Sequence, residues 1–131
     1  MSRKADQKPT QAELALLQVL WGRGRSTVRE IHEALRSEKE TGYTTTLKIL
    51  QNMTEKGLVR RDESKRSHVY TPALDAERTK RQLVRDLLQR VFAGAPGKLV
   101  VHALSEVPAS AQELAEIRKL IDEIETKMKK R

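Results

Sequence analysis

The chain has 131 residues, 37% hydrophobic and 34% charged, with 26 Lys and Arg against 18 Asp and Glu for a net charge of +8. That length suits one domain, or a small domain with an appendage, and excludes a barrel enzyme or a two-domain nucleotide-binding enzyme. The absence of cysteine excludes disulfides, thiol catalysis and thiolate metal sites. No apolar run nears the roughly 18 residues that span a bilayer. The basic start Met1-Ser2-Arg3-Lys4 leads into polar residues rather than the apolar core of a signal peptide. The expectation is a soluble, cytoplasmic, mainly helical protein whose charge suits a polyanionic partner. Charge alone does not locate the site: 1–75 hold 14 basic and 10 acidic residues, and 76–131 hold 12 and 8.

Residues 1–9 are polar and read as a disordered arm. A helix starts at Thr10, where Glu13 completes a capping box, with Leu14, Leu17 and Trp21 at helical spacing until Gly22 and Gly24. A second helix begins near Thr27, with Glu30 three residues on and Val28, Ile31 and Leu35 as its stripe. Ser37 to Gly42 reads as a loop. A third helix runs from about Thr44 to Lys56, and Gly57 occupies the capping position after it. Ile49, Leu50 and Met53 form its core face; Thr44, Thr45, Lys48, Gln51, Asn52 and Glu55 lie mostly opposite. Leu47 falls between the faces, and periodicity does not place it. Leu58 to Arg61 and His68 to Thr71 read as strands around the charged turn 62–67, a β-hairpin closed by Pro72.

The helical period returns from about Asp75 to Phe92, with Leu83, Leu87 and Val91 beside Val84, Leu88 and Phe92. Residues 93–97 are a break, 99–104 a helical turn or two, and Pro108 marks another loop. The last helix starts at Ser110, with Glu113 as a third capping-box partner. Leu114, Ile117, Ile121, Ile124 and Met128 follow at spacings of 3, 4, 3 and 4, an a/d seam. The fold class is mainly α, with a winged helix-turn-helix of three helices plus a β-hairpin wing, then a helical assembly module.

Catalytic signatures are missing. His32, His68 and His102 belong to different elements, and no HExxH, phosphate-binding glycine loop or nucleophile elbow is present. No enzyme activity, metal site or cofactor is expected. The informative constellation is the third helix with the hairpin. In a helix-turn-helix the second helix of the pair enters the major groove. Here it presents Thr44 and Thr45, whose short hydroxyl side chains permit close approach. Lys48 suits a phosphate or guanine, and Gln51 and Asn52 carry amides that suit adenine. A plain solvated helix face is the alternative. Arg60, Arg61, Lys65 and Arg66 cluster on the hairpin and suit a phosphate backbone or minor groove; a solubilising turn is the alternative. The a/d seam cannot bury itself alone and finds a partner either within the chain or on a second copy.

Several runs resemble the penicillinase-repressor (BlaI/MecI/CopY) family: Ala12 to Trp21, Ser26 to Ile31, Tyr43-Thr44-Thr45-Thr46-Leu47, Glu55 to Arg61, and His68-Val69-Tyr70. The similarity covers about 12–72 well and the remainder more loosely. It implies a homodimeric repressor bound to a promoter dyad. Thr44, Thr45, Lys48, Gln51 and Asn52 would face the groove, and Arg60, Arg61, Lys65 and Arg66 would serve the wing. Leu99, Leu114, Ile117, Ile121, Ile124 and Met128 would pair the protomers. The domains would be 10–75 for DNA and 76–131 for dimerisation. A cysteine-based copper site is impossible in this chain. The family's β-lactam branch is released when a membrane sensor-protease system causes a cut at an Asn–Phe bond; that position falls at His102–Ala103, where the pair is absent. The rival readings are a winged-helix protein–protein adapter without DNA, a small enzyme, and a membrane-surface binder using the helix at 76–92.

Overall fold

The computed structural model describes residues 8–36 and 42–130. Most of the expected N-terminal arm and most of the loop at 37–42 therefore lie outside the described residues. Two compact units are distinguished, 1–81 and 82–131.

In the first unit, α1 (Gln11–Arg23), α2 (Val28–Arg36) and α3 (Tyr43–Lys56) precede a hairpin of β2 (Val59–Asp62) and β3 (Val69–Pro72). The α1 capping box forms as the spacing predicts: Glu13 N donates to Thr10 Oγ1 and Thr10 N to Glu13 Oε1. Thr27 and Glu30 repeat the arrangement at α2. Gly57 closes α3 at φ +79, a left-handed conformation that an L side chain would resist.

A short strand β1 (Ser26–Thr27) escapes the sequence reading. It pairs antiparallel with β3, giving a three-stranded sheet of order β1-β3-β2. Two residues carry no readable alternation, so no periodicity could have announced it. The core joins Leu16, Leu17 and Leu20 of α1, Val28 and Ile31 of α2, and Leu50 and Met53 of α3 to Leu58, Val59 and Tyr70. Leu47, which periodicity does not place, is half-buried against this core. Trp21 adds a tie to the chain after the sheet, its Nε1–H donating to the Leu74 carbonyl at 3.0 Å. Glu13 is buried and meets Lys56 Nζ at 2.6 Å, joining the first turn of α1 to the last turn of α3.

The long helix α4 (Ala76–Val91) is opened by Asp75, whose carboxylate accepts from the Arg78 amide. In the second unit, α5 runs over Pro96–Glu106, considerably longer than the turn or two expected. The expected break at 93–97 is present between Val91 and Pro96, but Pro96 and Gly97 belong to α5, because proline is well tolerated in a first turn, where its missing N–H breaks no helical hydrogen bond. The final helix α6 (Ala111–Lys129) begins with the Ser110–Glu113 capping box. No described residue of α5 or α6 is buried. Among the described residues no helix is long and apolar enough to cross a membrane.

Candidate nucleic-acid interface

The packing of α3 decides which of its polar residues are available. Leu50 and Met53 anchor it to the core, and Thr46 is buried with them. Thr46 Oγ1 lies 3.4 Å from the Gly42 carbonyl and 3.4 Å from His32 Nδ1. The three consecutive threonines therefore divide: Thr46 points inward, Thr44 and Thr45 outward. Lys48, Gln51, Asn52 and Glu55 are exposed as well. At about 100° per residue these six span an arc of roughly 120°, a single open face. All five α3 residues expected to read DNA thus share one face. Glu55 is its acidic member and lies near the C-terminal end.

The hairpin divides its basic residues by strand parity. Arg61 stands opposite Tyr70, and Arg60 opposite Thr71, so the two arginines occupy opposite faces of the sheet. Tyr70 is wholly buried, and Arg61 shares its side of the sheet. Both Nε and Nη2 of Arg61 contact Glu63 Oε2, at 2.8 and 2.7 Å. The Tyr70 hydroxyl and Glu63 together raise the guanidinium's pKa further above its ordinary value. The hydroxyl itself lies outside strict hydrogen-bond geometry to any partner. Asp62 accepts from the Ser64 amide at 2.9 Å and faces Arg25 at 3.3 Å, and the nearness of Ser64 above all, with Arg25 and Lys65, lowers its pKa. The two acids of the turn are thus paired within the protein. Lys65 and Arg66, at the tip, are exposed.

A cleft of about 340 Å³ lies between these elements. Arg29 lines it from α2, Tyr43 and Leu47 from α3, and Arg66, Ser67 and His68 from the wing. Sequence reading singled out only Arg66 of these for DNA. Arg29 comes near Ser67 and His68 because β1, directly before α2, pairs with β3, and that contact had no signature.

In the second unit, Ile121, Ile124 and Met128 are exposed by 48%, 49% and 66%, whereas Leu99, Leu114 and Ile117 are half-buried. Val100, Val101, Val107 and Leu120 are exposed apolar residues beyond the six expected. His102 and Ala103 lie within α5 and are exposed, and the His102 ring sits 5.4 Å from that of Phe92. Among the described residues no cluster of three or more His, Asp or Glu could hold a metal ion.

A three-helix core carrying an open polar helix beside a basic hairpin is the winged helix-turn-helix of DNA-binding regulators. Residues 9–123 match the family model of the penicillinase repressor. The chain is 32% identical over 115 residues to the transcriptional regulator BlaI of Mycobacterium tuberculosis, covering 86% of this chain and 82% of that one. It is 20% identical over 116 residues to the penicillinase repressor of Staphylococcus aureus, covering 88% and 92%. A solution structure of the DNA-binding domain of the repressor BlaI aligns with a TM-score of 0.49 and 24% identity, over 58% of this chain and 90% of that one. The chain belongs to the penicillinase repressor family, and it is a non-enzymatic DNA-binding transcriptional repressor.

Proposed function

We propose that the protein represses transcription in the cytoplasm as a homodimer on a promoter dyad, with one α3 in each major-groove half-site. The observation that carries this reading is the single open face of Thr44, Thr45, Lys48, Gln51 and Asn52 beside the exposed wing tip of Lys65 and Arg66. Segment 10–75 reads the DNA. Arg60 reaches the backbone from the outer face of the wing, and Arg61 acts chiefly by holding the turn. Segment 76–131 pairs the protomers. The exposed apolar residues of α5 and α6 support that role, because so many of them on a small unit mark an interaction surface. The name of a relative, the penicillinase repressor of Staphylococcus aureus, supports the repression itself. Blocking polymerase sterically requires only occupancy.

Release from DNA is inferred not to use a cut at His102–Ala103, since the Asn–Phe pair is absent there. A membrane sensor-protease, if it acts on this repressor, would act at another bond.

Selection of genomic fragments bound by the full-length protein tests the reading. Enriched fragments should share a dyad whose half-sites are spaced by about one helical turn, or roughly 34 Å, or a multiple of it. No enrichment over random duplex would overturn the function, and enrichment of single unpaired half-sites would overturn the dyad.

A further inference from the structure

The cleft between α2, the start of α3 and the wing has the chemistry of an anion seat. Its floor is apolar, with Val28 buried and Leu47 half-buried. Arg29 and Arg66, both exposed, also line it, with further polar side chains on Ser67 and His68. Among the described residues its lining holds no carboxylate. The acid next to Arg29 in sequence, Glu30, is committed elsewhere: it accepts from the Thr27 amide at 2.8 Å and lies 3.6 Å from Arg23. These partners lower its pKa, the Thr27 amide most. Cationic groups from separate elements thus converge on one concavity without an internal counter-ion in its lining.

We propose that this cleft seats one backbone phosphate of the DNA per protomer, with Arg29 and Arg66 closing on its oxygens from opposite sides. The inference rests on the DNA-binding reading above. A phosphodiester combines a single negative charge, two free oxygens that accept several hydrogen bonds, and flanking sugars whose apolar edges suit the Val28–Leu47 floor. A duplex that receives α3 in its groove and the wing on its backbone must pass a strand between them, and the cleft opens there. A seated phosphate fixes how far α3 enters the groove and in which register. Arg29, Ser67 and His68 thereby join the interface as positioning residues that carry no sequence information.

The test uses full-length protein and a synthetic duplex bearing the sequence it selects from genomic fragments. Arg29→Gln, an exposed substitution whose folding is checked by its melting temperature, should weaken binding to selected and random duplex by the same factor. It should also lower the salt slope by about 1 per protomer. A neutral methylphosphonate placed singly along the half-site should cost the wild type roughly tenfold at one position. The same replacement should cost Arg29→Gln clearly less there, roughly threefold, since only the Arg66 contact is left to lose. Additive losses at every phosphate, with the wild type still selecting its duplex, overturn the seat and leave the DNA reading standing. A loss of sequence preference in Arg29→Gln would make Arg29 a base reader and also overturn the seat. A wild type that binds no duplex overturns both. A cleft that binds a small organic anion without competition from DNA would be an effector site instead.

Discussion

One oxygen of Glu13 accepts from two donors, the Thr10 amide at 2.9 Å and the Lys56 ammonium at 2.6 Å. The carboxylate therefore caps α1 and neutralises a half-buried cation on α3 at once. Removing it leaves Lys56 without this partner in a poorly hydrated place, which costs more than the pair itself is worth. Glu13→Ala should lose about 3 kcal/mol, and Glu13→Gln less because an amide oxygen can still accept from Thr10. Urea unfolding checks this by the shift in midpoint at constant slope; a change under about 0.5 kcal/mol would mean that water replaces the carboxylate. The capping half of this arrangement was legible, because the Thr10–Glu13 spacing is local. Lys56 was not, since 43 residues separate it from Glu13 and only the folded packing joins them. The fate of Thr46 was equally hidden: in a run of three threonines, helix phase relative to the core decides which one turns inward.

The long helices and the hairpin were legible from periodicity, capping boxes and turn residues, whereas β1 and the full length of α5 were not. A two-residue strand has no pattern of its own, and Pro96 with Gly97 reads as an interruption until the first-turn tolerance of proline is considered. The parity of β2 adds a distinction that composition conceals. Arg60 and Arg61 are neighbours, yet only Arg60 lies on the face away from Tyr70. The separation of α3 from the wing supports a paired prediction. Gln51→Ala with Asn52→Ala should erase about 1–3 kcal/mol of discrimination for each base they read, leaving the salt slope unchanged. Lys65→Ala with Arg66→Ala should instead lower the slope by up to about 2 per protomer, leaving the preferred sequence intact. Binding isotherms at several salt concentrations on matched and mismatched duplexes separate the two outcomes. A slope change in the first variant would reassign α3 to the backbone, and an unchanged slope in the second would remove the wing tip from the interface.

For the whole molecule, the contrast between the two units matters most. The first holds ten buried hydrophobic residues in one core, whereas α5 and α6 of the second bury none among the described residues. Ile121→Asp places a charge in the middle of the α6 stripe and should yield a monomer by sedimentation, with a salt slope near half that of the wild type. A dimer that survives would place the pairing surface elsewhere. On the proposed pairing, the exposed stripe also has a consequence for how the cell counts this protein. Dimer concentration rises with the square of monomer concentration when monomers predominate. A twofold dilution by cell growth then lowers the dimer concentration to about a quarter, by mass action. Promoter control would respond to protein abundance more steeply than in proportion, through a ridge of valine, leucine and isoleucine that a single copy cannot cover.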